Sequence, residues 1–126
     1  MSLTGTRVLV VENDDVVRQM VEELFWRQGC VVRGASEGAQ AVQLLKHENT
    51  EPHRAGPHAS VVNGIEVLTT VRQHPRLAMV PVLVTTGTAT TPFDLRDFRP
   101  LRVIRKPFDI EAVIPIAQKL LRSVKS

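Results

Sequence analysis

The chain is poor in aromatic residues, in cysteine and, over most of its length, in aspartate. Aromatics make up 4% of the 126 residues, tyrosine is absent, and Trp26 is the single tryptophan. A nucleic-acid platform that stacks bases needs several exposed rings, so that class of function is not expected. One cysteine, Cys30, leaves no internal disulfide and no cysteine-based zinc centre. It lies in the apolar run Cys30-Val31-Val32 and reads as a buried thiol. A single free cysteine fits a reducing, cytoplasmic compartment. No apolar run approaches the roughly 20 residues of a membrane span, and no charged-then-apolar leader opens the chain, so no membrane partner is expected. Between Asp15 and Asp94 there is no aspartate at all.

What is present describes an ordinary globule. Hydrophobic residues are 43% and charged residues 23%, enough for one packed domain over 1–126 with a core at about 7–121. The net charge is +3. Much of the excess lies late, at Arg96, Arg99, Arg102, Arg105, Lys106, Lys119, Arg122 and Lys125. A solvated basic face is the plain reading and a docking surface for an acidic partner the sharper one. No helix-turn-helix pattern accompanies these residues, so no nucleic-acid partner is expected.

The apolar pattern alternates strand and helix. Arg7-Val8-Leu9-Val10-Val11 is a continuous apolar run, as in a strand covered on both faces. Asn13-Asp14-Asp15 supplies helix caps, and Val16, Val17, Met20, Val21, Leu24 and Phe25 recur at helical spacing until Gly29. Val31–Arg33 predicts a second strand, and Ser36 caps a helix through Leu45. Asn63-Gly64-Ile65-Glu66 reads as a cap opening a helix that ends at His74-Pro75. Val80–Thr85 and Leu101–Arg105 predict two more buried strands. Asp109 caps a last helix, whose start Pro115 should delay or kink. Such alternation means a parallel sheet with helices on both faces and working residues at the carboxyl ends of its strands. Asn49 to Ser60 carries no apolar run, although spacing demands a third strand; tertiary context should impose one around Arg54–Pro57. His47, His53 and His58 surround this segment at spacings that match no metal motif.

Glu12 and Asn13 follow the first strand, Thr85 and Thr86 end the fourth, and Lys106 follows the fifth, directly before Pro107. An acid, an amide, a hydroxyl and an ammonium on one rim suit a phosphate or metal-phosphate site. Val8–Asp14, Asn63–Leu68, Pro81–Gly87 and Lys106-Pro107-Phe108-Asp109 together resemble the receiver domain of bacterial response regulators, from about Arg7 to Leu121. The resemblance implies a flavodoxin-like, doubly wound α/β fold, with five parallel strands in the order 2-1-3-4-5. It implies phosphoryl transfer from a histidine kinase to an aspartate after the third strand, aided by Mg²⁺. It assigns the acid pair to Glu12 and Asn13, the phosphoryl-binding hydroxyl to Thr86, the pairing lysine to Lys106, and a cis bond to Pro107. The aromatic switch position falls on Val103.

The family's phosphoacceptor lies eight residues before the glycine of an Asp/Asn-Gly step, which here is Asn63-Gly64; that spacing points to Gly56. Glycine is no nucleophile. With Asn13 neutral and Gly56 empty, Glu12 is the one sure acid, so Mg²⁺ binding is expected to be weak or absent, Asp14 being a substitute if the loop shifts by one. A Glu12–Lys106 pair would then stand in for the phosphorylated site. The expected function is a receiver of a two-component phosphorelay, not an enzyme, degenerate and acting through protein contacts. Its partner would be a histidine kinase, another signalling protein, or a second copy. Contacts of this kind use the face of the fourth helix, fifth strand and fifth helix, at Phe93–Arg99, Leu101–Arg105 and Glu111–Leu121. Two alternatives stand beside it. One is a working receiver with a substitute acceptor or a sequence anomaly near Gly56, such as paired frameshifts around Ala55 to Ser60. The other is a flavodoxin-like cofactor binder, suggested by the hydroxyl-rich Thr85–Thr90 but short of aromatics to hold a flavin.

Overall fold

The structure is a computed structural model that describes residues 3–48, 58–64, 69–70, 72–73, 80–86, 101–105 and 109–125. Five strands form one parallel sheet: β1 (Arg7–Val11), β2 (Val31–Ala35), β3 (His58–Asn63), β4 (Val82–Thr86) and β5 (Leu101–Arg105). Their order is β2-β1-β3-β4-β5, as the resemblance implied. The three described helices are α1 (Asp15–Arg27), α2 (Gly38–Glu48) and α3 (Val113–Lys125), and α3 follows a 3-10 turn at Ile110–Ala112.

Alternation along the strands divides the core in two. Val8, Val10, Val61 and Leu83 point to the face where Val21 and Phe25 of α1 and Val113, Ala117, Leu120 and Leu121 of α3 pack. Leu9, Val11, Val62, Val82 and Val84 point to the other face, with Ala41 of α2. Both faces of each central strand are thus buried, which is why those strands read as unbroken apolar runs.

The caps follow the sequence reading. Asp14 Oδ1 accepts from the Val16 and Val17 amides at 2.9 and 3.1 Å, and Asp109 accepts from the Glu111 amide at 3.0 Å. Pro115 falls in the first turn of α3, where its missing N–H has no intrahelical partner to lose. The 3-10 turn before Val113 is the delayed start that this proline predicts.

The third strand departs from expectation. It is His58–Asn63, not a segment around Arg54–Pro57; those four residues lie outside the described ones. Register fixes it: Arg7 pairs with His58 and Val11 with Val62, while Ser60 pairs with Val82 and Asn63 with Thr85. Asn63 therefore closes a strand.

Candidate functional site

The carboxyl ends of β1 and β3 lie side by side, and their last side chains meet. Glu12 follows β1 and is buried, at 4% exposure. Its Oε2 accepts two hydrogen bonds, from the Asp14 amide at 3.0 Å and from Asn63 Nδ2 at 2.9 Å. Asn63 Nδ2 also donates to Asn13 Oδ1 at 2.8 Å. A carboxylate oxygen can only accept, so the amide must present its nitrogen to Glu12, and its two N–H groups match the two acceptors. A hydrogen bond to a charged group contributes about 1.5–3 kcal/mol, and a buried carboxylate deprived of donors costs more.

The surrounding backbone holds this arrangement. Arg18 of α1 donates from Nη1 to the Glu12 carbonyl at 3.0 Å, and its guanidinium also pairs with Asp15 at 2.7 Å and Glu22 at 3.4 Å. Gly64 has φ +89°, a conformation that favours glycine, and its amide donates to the Thr85 carbonyl at 2.8 Å. A Cβ at Gly64 would meet nothing within 4 Å, so glycine serves the backbone there rather than a close approach. Thr85 is buried, and its hydroxyl approaches the Val62 carbonyl at 3.5 Å.

The structure brings Glu12 and Asn13 together, as the sequence suggested. Asn63 ends β3 beside Glu12, whereas Gly56 precedes the strand in the chain and lies outside the described residues. Asp14, the suggested substitute, caps α1 through its Oδ1. Thr86 ends β4 opposite Arg105, and Val103 pairs with Val84 and is half-exposed on β5. The side chain of Thr86, together with Lys106, Pro107 and the Glu12–Lys106 pair, lies outside the described residues. Asn63 is the residue that sequence reasoning missed. The signal was available: Val61-Val62 is the one apolar pair in the region, and Asn63 follows it.

A divalent cation of the Mg²⁺ kind takes hard oxygen ligands. Here Glu12 Oε2 and Asn13 Oδ1 already receive an amide N–H₂, which cannot ligate a cation. The residues as arranged do not fit the ion. Among the described residues no group of three or more histidine, cysteine or acidic side chains could hold a metal. Nor, among them, is any helix long and apolar enough to cross a membrane.

Comparison with known proteins agrees with the fold. The family model of the response regulator receiver domain matches residues 8–118. The transcriptional regulatory protein GltR of Pseudomonas aeruginosa is 29% identical over 89 residues, covering 71% of this chain and 37% of that protein. The probable transcriptional regulator ycf29 of Pyropia yezoensis is 26% identical over 117 residues, covering 91% of this chain and 53% of the relative. The chain thus spans about a third to a half of these curated relatives. The chemotaxis response regulator CheY4 of Vibrio cholerae superposes with a TM-score of 0.69 at 24% identity, over 94% of this chain and 100% of that one. With the sheet order and the match over most of its length, the chain belongs to the response regulator receiver domain family.

Proposed function

We propose that this receiver domain signals without accepting a phosphoryl group, through protein contacts made by a site held in one state. The observation that carries the reading is the Asn63 carboxamide at the end of β3, clamped between Glu12 and Asn13. An amide nitrogen has no lone pair free to attack phosphorus, and its N–H groups occupy the oxygens that a cation would need. Asn63 thus stands at the acceptor position, with Thr86 at the end of β4, Lys106 and Pro107 after β5, and Val103 within β5 at the family's remaining positions.

The partner in this reading is a histidine kinase, another cytoplasmic signalling protein, or a second copy of the chain, bound at the face of β5 and α3. Support for that face comes from Arg102 and Val103, exposed on the edge strand β5. Valine at 103 also lacks the ring whose rotation would report a phosphorylated site.

The test is intact mass before and after incubation of freshly purified protein with Mg²⁺ and acetyl phosphate. The expected mass is unchanged. A gain of one phosphate refutes the reading and reveals a substitute acceptor.

A further inference from the structure

The chain has three asparagines, and Asn63 alone precedes a glycine. An Asn-Gly step is the one in which the next backbone nitrogen meets least hindrance in reaching the side-chain carbonyl carbon. We propose that Asn63 is a site of slow self-hydrolysis, gated by the hydrogen bond from Gly64 to Thr85, which converts the amide clamp into two facing carboxylates.

The chemistry balances with water as co-reactant. The Gly64 nitrogen attacks Asn63 Cγ, the Cγ–Nδ2 bond breaks, and ammonia leaves. Water then opens the resulting succinimide to aspartate or isoaspartate. The gate is the Gly64 amide, which donates to the Thr85 carbonyl at 2.8 Å. While that bond holds, residue 63 stays in the β3 ladder opposite Thr85, and the nitrogen is turned toward β4. Only local opening at the strand's exit frees it, so the conversion runs far slower in the fold than in the unfolded chain.

The product inverts the local hydrogen bonding. Nδ2 now donates to Glu12 Oε2 at 2.9 Å and Asn13 Oδ1 at 2.8 Å. An aspartate there removes both donors and leaves oxygens of three side chains facing one another. That set repels itself unless a proton or a divalent cation enters it. Isoaspartate carries an extra backbone carbon and displaces its carboxylate, so only the aspartyl product gains this property.

This inference rests on the clamp described above, and the two fail separately. Fresh protein tests the phosphoryl reading, whereas aged protein tests the hydrolysis. Folded protein, protein in mild urea and the Asn63→Gln variant are held in mildly alkaline buffer, and amide-to-acid conversion is followed by mass and peptide mapping. The expected result is conversion at Asn63 ahead of Asn13 and Asn49, accelerated at least tenfold by urea and absent at position 63 of the variant. The purified aspartyl form, and Asn63→Asp made directly, should gain thermal stability on addition of Mg²⁺, which the unconverted chain should not. Conversion at Asn63 no faster than at the other two asparagines overturns the proposal. So does a rate indifferent to urea, or an aspartyl form indifferent to Mg²⁺.

Discussion

Replacing Asn63 by aspartate changes one N–H₂ into one oxygen and should cost the fold several kcal/mol. In the native chain the amide donates to Glu12 at 2.9 Å, and Glu12 is 4% exposed. The variant sets two carboxylates against each other with charge centres roughly 4 Å apart. At an effective dielectric of about 20 they repel by about 4 kcal/mol. The lost charge-assisted hydrogen bond adds about 1.5–3 kcal/mol. Proton uptake limits the total, because holding one carboxyl protonated at neutral pH costs about 1.4 kcal/mol for each pH unit above its ordinary value. The net loss near pH 7 is then about 3–4 kcal/mol, or about 11–15 °C in Tm for a domain of this size. The sign with pH is fixed by the same protons. The facing pair titrates above the ordinary carboxylate range, so the folded variant binds more protons than the unfolded chain. Its stability is therefore full below about pH 4 and falls as pH rises toward 7. Urea denaturation of both proteins at neutral and acid pH, with and without Mg²⁺, measures this directly. A variant as stable as the parent at neutral pH, with no response to acid or Mg²⁺, refutes the clamp as the determinant of the site.

Three further outcomes follow from the described structure. Ser60 is buried in β3 and its hydroxyl has no hydrogen-bond partner among the described residues, so Ser60→Ala should leave stability unchanged or raise it by up to about 1 kcal/mol in urea denaturation. Asp14 caps α1 with two accepted hydrogen bonds, so Asp14→Ala should cost about 1 kcal/mol, read as a lower urea midpoint at unchanged slope. Burial pushes the Cys30 thiol above its ordinary range, so the fold holds that proton more tightly than the unfolded chain does. The contribution is present below about pH 8.5 and is lost as pH rises past it, and Cys30→Ala should flatten this alkaline slope.

Most of the fold was legible because its central strands are buried on both faces. The unbroken apolar runs at Val8–Val11 and Val82–Val84 admit few other readings. Asp14 and Asp109 were legible as caps because a carboxylate placed before a helical pattern has one obvious use. The third strand was not legible. His58-Ala59-Ser60-Val61-Val62-Asn63 holds only two strong strand formers, and its small residues are chosen by the partners on either side. Neighbouring strands overrode local preference there. The same residue then misled the site reading. Asn-Gly serves equally well as the end of a strand, a turn and a helix cap, and it is the register, Val62 with Val11 and Asn63 with Thr85, that puts Asn63 in the strand.

Placing Asn63 at the end of β3 also explains why the family spacing led to Gly56. In the family's pattern, one residue ends the third strand and another, further on, precedes the glycine. In this chain Asn63 does both. The residues that would separate those positions on the carboxyl rim have no counterpart, because Gly64 follows β3 immediately and its amide is stitched to Thr85. Extra length lies instead before the strand, between Glu48 at the end of α2 and His58, which pairs with Arg7 at the amino end of the sheet. Counting back from the glycine therefore crosses the whole of β3 and leaves the strand. The displacement bears on function as well as on alignment. With the strand closed directly by Asn63, the side chain that donates to Glu12 Oε2 is an amide, and in the proposed reading that hydrogen bond stands where a cation would otherwise bind.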